Sequence, residues 1–543
     1  MKLASHTLTY QRTILYQTEE FEIVSCLWTA NAFSPLHGHG YSQCFTLIEE
    51  GTFENTTDFG NKKETITKSK GQVLITPTGA KHEIICTSSV GKTLHVYFPK
   101  ISLTDKINNF KHRTEIELQK SFDVNLKTIG ISFEDLTAEL ALISENSITT
   151  NSLYFMNQLF SGISSQMLIA EDLIAKTKTT MATHEASPAL STIETEVIQK
   201  LCQQIGWHKD FSEGIQVPGG STANFMALHC ARHNKYPDYK QKGLPHISLK
   251  IFGSLDAHYS LKKACVVLGL GLDSLVLIKT DLQGKMCPRD LENKINEAIL
   301  RKEVPLIVYA TAGTTVYGSF DPITEIAQIC KNLNIWLHVD AAWGGPVLFS
   351  NSAKNLIAGI ELADSVTFDA HKFFGAGLTC AFFLTQHPEI LFEANDVSGA
   401  DYIFHETETI DRGRLSWQCG RRADAVTFWT LWKSLGTSGL TQMIDISLNL
   451  SKELAEWVKT QPRLNLIHEP DFLNICVQVI PKLALQDRKL WSKHVRTELL
   501  NNNLAMVNYS SESDGTTFLR LIIANSFLTL NELKNILTWA QEI

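Results

Sequence analysis

The chain has 543 residues, of which 44% are hydrophobic and 20% charged, so it is long enough for more than one domain and too apolar to be disordered. Its 57 acidic and 49 basic residues give a formal net charge of -8 and are scattered along the sequence, which argues against a nucleic-acid partner. The N terminus becomes polar too early for a secretory signal, no apolar run reaches the length of a membrane span, and the 11 cysteines form no CxxC pair, so we expect a cytoplasmic protein with reduced thiols and no membrane contact.

Residues 1–103 are predicted to form a small all-β barrel. Short runs rich in β-branched and aromatic residues, such as FEIVSCLW, CFTLIEEG, GQVLITP, HEIICT and TLHVYFP, are separated by Gly, Pro and Asn turns, as in a sandwich or barrel. Residues 104–150 are more polar, with one predicted helix at 134–143. We interpret them as a linker and N-terminal helical segment at the domain junction.

Three histidines of this region form a candidate metal site. His37 and His39, in LHGHG, are two residues apart and therefore share one face of a strand. His82, in GAKHEII, lies on a later predicted strand and can supply a third imidazole. Neutral imidazoles suit iron, and three of them on one side leave positions open for a substrate and oxygen. The alternative is a degenerate barrel whose loop exposes histidines by chance.

The same region resembles cysteine dioxygenase, a cupin family that binds Fe(II) through three histidines without a carboxylate. The motifs that carry the resemblance are YQR, HGHGYSQC and TLHVYFP. The resemblance implies that Cys44 is thioether-linked to Tyr97, that His95 supports this tyrosine, and that Arg12 binds the substrate carboxylate. Thr93 stands where the family has serine, and the N-terminal helices of the family are missing.

Residues 151–436 are predicted to form a large α/β domain, and residues 437–543 a smaller C-terminal α/β lobe. Apolar runs such as PLIVYATAG, IWLHVDAAW and SVTFDAHKF alternate with helical stretches such as DPITEIAQICKNL. Such alternation is typical of a parallel sheet built from crossover units. The C-terminal lobe contributes further strands, LNICVQVI and FLRLIIAN, and a closing helix, TLNELKNILTWAQE.

Polar residues at the ends of these runs suit a ring-shaped, phosphorylated cofactor. Lys372 follows the strand-like SVTF, where its amine faces a crevice. Asp340 ends IWLHVD and can pair with a pyridinium nitrogen, and His258 can lie against the ring. Gly220 and Ser221, in PGGSTAN, open a helix and offer backbone amides and a hydroxyl to a phosphate. Taken singly, each has a structural explanation: a surface lysine, a helix-capping aspartate, a structural histidine, a Gly-rich helix start.

Together and in this order, the motifs resemble the group II pyridoxal-phosphate-dependent decarboxylases of glutamate, cysteine sulfinate and aromatic amino acids. The resemblance rests on FMNQLFSG, PGGSTAN, DAHYSLKKA, TAGTTVYGSFDP, HVDAAWGGP, DAHKFFG, QCGRRAD and FLRLIIAN. It implies the type I fold of pyridoxal-phosphate enzymes and a homodimer with active sites at the subunit interface. The roles it implies are Lys372 as the Schiff-base lysine, Asp340 at the ring nitrogen, His258 on the ring, Gly220, Ser221, Thr315 and His371 around the cofactor, and Gln158 and Arg520 at the substrate.

Two departures from the family pattern affect the mechanism. In the animal glutamate and cysteine sulfinate enzymes, a mobile loop before QCGRR carries a tyrosine thought to deliver a proton to the α-carbon. Here the segment HETETIDRGRLSW, residues 405–417, has no tyrosine, which leaves the proton donor open. The animal enzymes also place WNPHK at the lysine, whereas this chain has FDAHK, and we expect Asp369 to support cofactor binding.

The substrate is expected to be a small acidic amino acid. Arg520 favours this class because a guanidinium binds a carboxylate or sulfinate through two parallel hydrogen bonds; which acid group it binds is left open. Cysteine dioxygenases make cysteine sulfinate, and one branch of the decarboxylase family converts it to hypotaurine, the precursor of taurine. We therefore predict a bifunctional enzyme that uses cysteine, Fe(II) and pyridoxal phosphate. The alternatives are an aspartate or glutamate decarboxylase joined either to a dioxygenase for another thiol or to a barrel that senses rather than catalyses.

Overall fold

The structure is a computed structural model that describes residues 10–17, 22–29, 33–38, 43–58, 63–76, 81–98, 109–110, 112–244, 246–397, 399–405, 411–483 and 487–543. The chain divides into two compact units: Met1–Ile107 with Ile163–Ser165, and Asn108–Gly162 with Gln166–Ile543. Among the helices of the described ranges, none is both long and apolar enough to cross a membrane.

The first unit contains two antiparallel sheets with strand orders β1-β2-β9-β4-β7 and β3-β8-β5-β6. Buried side chains of both sheets, among them Trp28, Cys44, Phe53 and Ile84, form one hydrophobic cluster. An all-β fold is therefore confirmed for this part of the chain, whereas its closure into a cupin barrel stays a prediction. The strands are β1 (Tyr10–Gln17), β2 (Glu22–Thr29), β3 (Phe33–Gly38), β4 (Gln43–Glu50), β5 (Thr52–Asp58), β6 (Lys63–Ser69), β7 (Val73–Thr76), β8 (Lys81–Cys86) and β9 (Val90–Phe98).

Two helices precede the large domain, α1 (Glu115–Gln119) and α2 (Phe133–Asn146). The N terminus of α2 is capped by Ser132, whose hydroxyl accepts the backbone N–H of Asp135. The helix covers the predicted 134–143. Neither helix has a buried residue within the described chain.

The large domain is built on a seven-stranded sheet of order β11-β17-β16-β15-β14-β12-β13. Its strands are parallel except β17, which pairs antiparallel with both β11 and β16. The parallel α/β architecture predicted from the alternating apolar runs is confirmed. Its elements are β10 (Phe155–Met156), α3 (Ser165–Thr177), α4 (Pro188–Ile205), β11 (Glu213–Pro218), α5 (Gly220–Lys235), α6 (Tyr239–Lys242), β12 (Leu249–Ser254), α7 (Ser260–Val267), β13 (Leu275–Ile278), α8 (Pro288–Leu300), β14 (Val304–Thr311), α9 (Ile323–Leu333), β15 (Trp336–Ala341), β16 (Ser365–Asp369), β17 (Cys380–Thr385), α10 (Ile390–Asn395) and α11 (Ala425–Lys459).

The C-terminal lobe contains a second sheet of order β10-β20-β21-β19-β18, to which β10 of the preceding segment adds in parallel. The predicted boundary between residues 436 and 437 falls inside α11, where Gly436 has a non-helical φ of 67° and kinks the helix. The remaining elements are β18 (Leu464–Leu466), β19 (Asn474–Val479), α12 (Trp491–Asn501), β20 (Met506–Ser511), β21 (Thr517–Ile522) and α13 (Leu530–Glu542).

Candidate active site

Lys372 lies just beyond the carboxyl end of β16. Strand alternation places Ser365, Thr367 and Asp369 on one face of β16. The ammonium of Lys372 is 3.1 Å from the Oδ2 of Asp369, and Asp369 itself is buried. The lysine side chain is partly exposed, so its amine is held by a buried carboxylate and remains accessible.

Asp340 lies on the neighbouring strand β15, in register with Thr367 of β16 and Thr311 of β14. Its Oδ1 accepts the backbone N–H of Ala342 at 3.1 Å. Burial, the largest single effect, raises the pKa of this carboxyl. The Lys372 ammonium, the Tyr309 hydrogen bond and two histidines together outweigh burial, so the pKa falls below its ordinary value. Asp340 is therefore a buried anion at the carboxyl end of an inner strand of the sheet.

A polar network lies behind Asp340. Its Oδ2 accepts hydrogen bonds from the amide of Asn224, at 3.0 Å, and from the hydroxyl of Tyr309. The Oδ1 of Asn224 accepts the Thr367 hydroxyl at 2.7 Å and lies 3.1 Å from the Nε2 of His338. Burial lowers the pKa of His338 to about 4, so this imidazole is neutral.

Sequence reasoning missed Asn224, Tyr309 and His338. Two weak signals were available: His338 shares the strand face of Asp340 by alternation, and Asn224 belongs to PGGSTAN. Tyr309 has the sequence environment of an ordinary core strand residue, because its contact with Asp340 depends on the pairing of β14 with β15.

His258 joins the same site from the segment before α7. Its Nδ1 is 2.9 Å from the hydroxyl of Ser260, which in turn accepts the amide of Asn224. Burial lowers the pKa of His258, and the charges of Asp340 and Lys372 act on it in opposite directions. The structure therefore brings His258, Asp340 and Lys372 together.

The start of α5 approaches the same carboxylate as Lys372. Gly219 has a φ of 95°, and Gly220 is the first residue of the helix. A Cβ on Gly220 would lie 2.7 Å from both carboxylate oxygens of Asp369, so the approach requires glycine. Ser221 follows in the first turn, where backbone amides favour an anion.

His371 is held beside this helix start. Its Nδ1 is 2.8 Å from the carbonyl of Cys380, and its Nε2 is 3.8 Å from Asp369. The buried imidazole is thus oriented by β17.

Of the predicted substrate residues, Arg520 lies in the C-terminal lobe and contacts the segment that carries Gln158. Arg520 on β21 is buried, and its terminal nitrogens donate to the backbone carbonyls of Thr315, at 2.8 Å, and Asn157, at 3.0 Å. Its Nε has no hydrogen-bond partner among the described residues. Gln158, next to Asn157, is exposed. The arginine therefore connects the segments that carry Thr315 and Gln158.

The donor set fits pyridoxal phosphate. Asp340 suits a ring nitrogen, Lys372 a carbonyl carbon, and the start of α5 a phosphate. In addition, the Oδ1 of Asp369 and the hydroxyl of Thr311 are buried without hydrogen-bond partners in the part of the chain that the structure describes. Such atoms are expected in a cavity that a polar ligand fills.

Residues 116–480 match the family described as the pyridoxal-dependent decarboxylase conserved domain. The chain belongs to this family. It is 36% identical to human cysteine sulfinic acid decarboxylase over 456 residues, which are 80% of this chain and 92% of the human protein. It is 35% identical to the bovine acidic amino acid decarboxylase GADL1 over 421 residues, or 75% of this chain and 80% of that protein. A crystal structure of mouse CSAD superimposes with a TM-score of 0.76 at 32% identity, covering 80% of this chain and 94% of that one. The enzyme is thus a pyridoxal-phosphate-dependent amino-acid decarboxylase.

The predicted iron site is not shown by the structure. His37 of β3 and His82 of β8 are direct register partners, but His39 lies outside the described residues. The Nδ1 of buried His82 is 2.9 Å from the Oδ1 of Asn55 and 3.0 Å from the hydroxyl of Thr76. Within the described residues, no three His, Cys, Asp or Glu side chains form a metal-binding group. Fe(II) therefore has no direct support here.

The predicted thioether partners are opposite each other. Cys44 of β4 and Tyr97 of β9 are register partners, although the side chains of Tyr97 and Arg12 lie outside what the structure describes. The buried Sγ of Cys44 is 3.7 Å from the Nδ1 of His95, whose Nε2 is 2.8 Å from the hydroxyl of Thr93. Cys44, His95 and Thr93 are thus brought together.

Proposed function

We propose that the enzyme decarboxylates cysteine sulfinate to hypotaurine with pyridoxal phosphate bound at Lys372. The observation that carries the proposal is the convergence of Lys372, Asp340, His258 and the glycine start of α5 at one edge of the sheet. No part of this arrangement serves packing alone, because it concentrates buried charge that packing does not need.

Each residue of the site has a defined task toward the cofactor. Asp340 would hold a proton at the ring nitrogen, Lys372 would anchor the cofactor, and His258 would contact the ring. Ser221 and His371 bind and orient the phosphate end together with the amides of Gly220. When bound there, the cofactor supplies an electron sink for the electrons left on the α-carbon as carbon dioxide departs.

Two further side chains, Asp369 and His258, have roles in binding an ammonium and in proton transfer. The carboxylate of Asp369 lies 3.1 Å from the Lys372 ammonium and would hold that ammonium when the lysine is not joined to the cofactor. Burial lowers the pKa of His258 and so favours its neutral imidazole, which can accept and pass on a proton.

Arg520 is proposed to select an acidic substrate. The guanidinium is fixed by the carbonyls of Thr315 and Asn157 and still carries an unsatisfied Nε–H donor. A fixed guanidinium binds carboxylate or sulfinate with little loss of side-chain freedom. The names of the relatives, cysteine sulfinic acid and acidic amino acid decarboxylases, agree with this class.

The test is a comparison of kcat/KM for cysteine sulfinate, aspartate and glutamate, with carbon dioxide release as the measurement. We expect cysteine sulfinate to be the best of the three substrates. A clear preference for aspartate or glutamate would show that the reaction class is right and the substrate wrong.

We further propose that the first unit oxidises cysteine to cysteine sulfinate with Fe(II) held by His37, His39 and His82. Support comes from the register pairs His37–His82 and Cys44–Tyr97. The Nδ1 of His82 lies within hydrogen-bond distance of Asn55 and Thr76, and contacts of this kind orient histidines that bind a metal. Arg12 is assigned to the cysteine carboxylate.

The dioxygenase proposal is tested by incubating the purified protein with cysteine, Fe(II), oxygen and pyridoxal phosphate, followed by mass spectrometry. Hypotaurine is the expected product. If iron binds but cysteine is not consumed, the unit is a sensor or acts on another thiol.

A homodimer is proposed from an apolar face on α2. Phe133, Leu136, Leu140 and Ile143 follow a helical repeat and are all exposed, Phe133 by 84% and Leu140 by 56%. A second copy of the chain is the proposed partner for this face, because an apolar stripe left in water is unfavourable.

The cytoplasmic location and the boundaries 1–103, 104–150, 151–436 and 437–543 remain proposals from the sequence.

A further inference from the structure

Tyr309 is a fully buried phenol in the middle of the sheet, at a position where the fold needs only an apolar side chain. It lies on β14 opposite His338 of β15, within a cluster of residues such as Leu261 and Phe383. Its hydroxyl donates a hydrogen bond to the Oδ2 of Asp340. Burying a hydroxyl this deeply costs free energy of folding unless the hydroxyl forms a hydrogen bond.

The hydroxyl is a donor at every physiological pH. Burial raises the pKa of Tyr309 well above its ordinary value, and the charge of Asp340 raises it further. The phenol therefore keeps its proton and directs it at the carboxylate. The phenol and the amide of Asn224 both donate to the Oδ2 of Asp340, while its Oδ1 accepts the backbone N–H of Ala342.

Hydrogen bonds to a carboxylate stabilise its charged form and make it a weaker base. In the unloaded protein, the Lys372 ammonium is the strongest attraction on Asp340. A lysine joined to the cofactor would no longer be a free ammonium. The fixed donors Tyr309 and Asn224, with the backbone N–H of Ala342, then remain to hold Asp340 as a weak base.

We propose that Tyr309 is a positioning residue that weakens the basicity of Asp340 and so keeps the shared proton on the cofactor ring nitrogen. The inference rests on the proposed role of Asp340 toward that nitrogen. Without the phenol, Asp340 becomes a stronger base and draws the proton toward itself. The ring is then a poorer electron sink, while substrate recognition at Arg520, on a different sheet, is untouched.

The test uses the Tyr309→Phe holoenzyme loaded with pyridoxal phosphate that carries nitrogen-15 in its ring. We expect the nitrogen-15 resonance to move toward the value of unprotonated pyridine. We also expect kcat to fall about tenfold, which corresponds to about 1.4 kcal/mol of barrier, with the KM for the amino acid unchanged. Tyr239→Phe is the matched control, because that phenol contacts the ring nitrogen of His229 at 3.2 Å, outside the site.

A second substitution at position 309 distinguishes the effect of the hydroxyl from a general effect on packing. Replacing Tyr309 with a fluorinated tyrosine keeps its shape and makes the hydroxyl a stronger donor, so the resonance should move in the opposite direction from that of Tyr309→Phe. The proposal is overturned if neither substitution moves the nitrogen-15 resonance. It is also overturned if Tyr309→Phe raises KM and leaves the resonance unchanged. Should the parent release no carbon dioxide from any acidic amino acid while the resonance still responds, the proposed function fails and the role of Tyr309 stands.

Discussion

Lys372 and Asp340 have separable roles, which single substitutions distinguish. Lys372→Ala is expected to abolish decarboxylation and the yellow absorbance of the bound cofactor, because the described site offers no other amine beside Asp369. Asp340→Ala should retain some cofactor yet turn over about a hundredfold more slowly, since a fixed charge opposite the ring nitrogen is lost. Absorbance spectra and carbon dioxide release measure both. Parental turnover in Asp340→Ala would mean that another group serves the ring nitrogen.

Arg520 provides a test of substrate recognition. In Arg520→Lys the planar fork is replaced by a point charge that cannot bind the carbonyls of Thr315 and Asn157 and an acid at once. We expect KM for cysteine sulfinate to rise about tenfold or more, the loss of one charged hydrogen bond, with a smaller change in kcat. Arg496→Lys is the control, because that arginine donates to the carbonyl of Val507 on the C-terminal lobe. Equal KM values in both variants would remove Arg520 from the substrate site.

Some of these residues were predictable from sequence and others were not, for a physical reason. Lys372 and Asp340 directly follow apolar strands, and carboxyl ends of parallel strands meet at one edge, so their proximity follows from local pattern. Tyr309 acts through a pairing between strands, and a single sequence does not reveal which neighbours a strand has. The contact of Arg520 with Thr315 joins residues 205 positions apart, which is beyond any periodicity argument.

At the scale of elements, the start of α5 is the feature most sensitive to substitution. Gly220→Ala would place a Cβ 2.7 Å from the Asp369 carboxylate. Either the start of α5 or Asp369, the ion-pair partner of Lys372, must then shift. We expect the dissociation constant of pyridoxal phosphate to rise at least about tenfold, or about 1.4 kcal/mol. Gly130→Ala, where the added Cβ meets no atom within 4 Å, should bind the cofactor like the parent. Cofactor titration followed by absorbance decides the matter.

The apolar face of α2 predicts the effect of a single charge. Leu140→Glu places a carboxylate in the proposed interface, and an unpaired charge is costly to bury. The dimer should dissociate at concentrations where the parent stays associated, with a dissociation constant raised about tenfold or more. Light scattering after size exclusion measures the mass. Leu282→Glu, at a leucine that is 94% exposed in a loop, is the control, and a monomeric parent would contradict the assignment of this face.

At the scale of the whole molecule, the division into two compact units allows each proposed activity to be removed alone. The N-terminal strands and the α/β sheet were both predictable, because alternation of period two and buried parallel runs are local patterns. Whether the N-terminal strands close into a barrel does not follow from such local patterns, since closure depends on strand pairing. The register pairs His37–His82 and Cys44–Tyr97 came only from the structure.

The final prediction separates the two proposed activities through His82. His82→Ala should lose bound iron and stop sulfinate formation from cysteine, because a three-histidine site without one ligand binds metal weakly. Decarboxylation of supplied cysteine sulfinate should continue at the parental rate, since a separately packed unit performs it. The comparison is hypotaurine made from cysteine against hypotaurine made from cysteine sulfinate, with iron content measured in parallel. His246→Ala, an exposed histidine of the second unit, serves as the control. If His82→Ala converts cysteine as fast as the parent, iron is held elsewhere; if it loses both activities, the two units do not work independently.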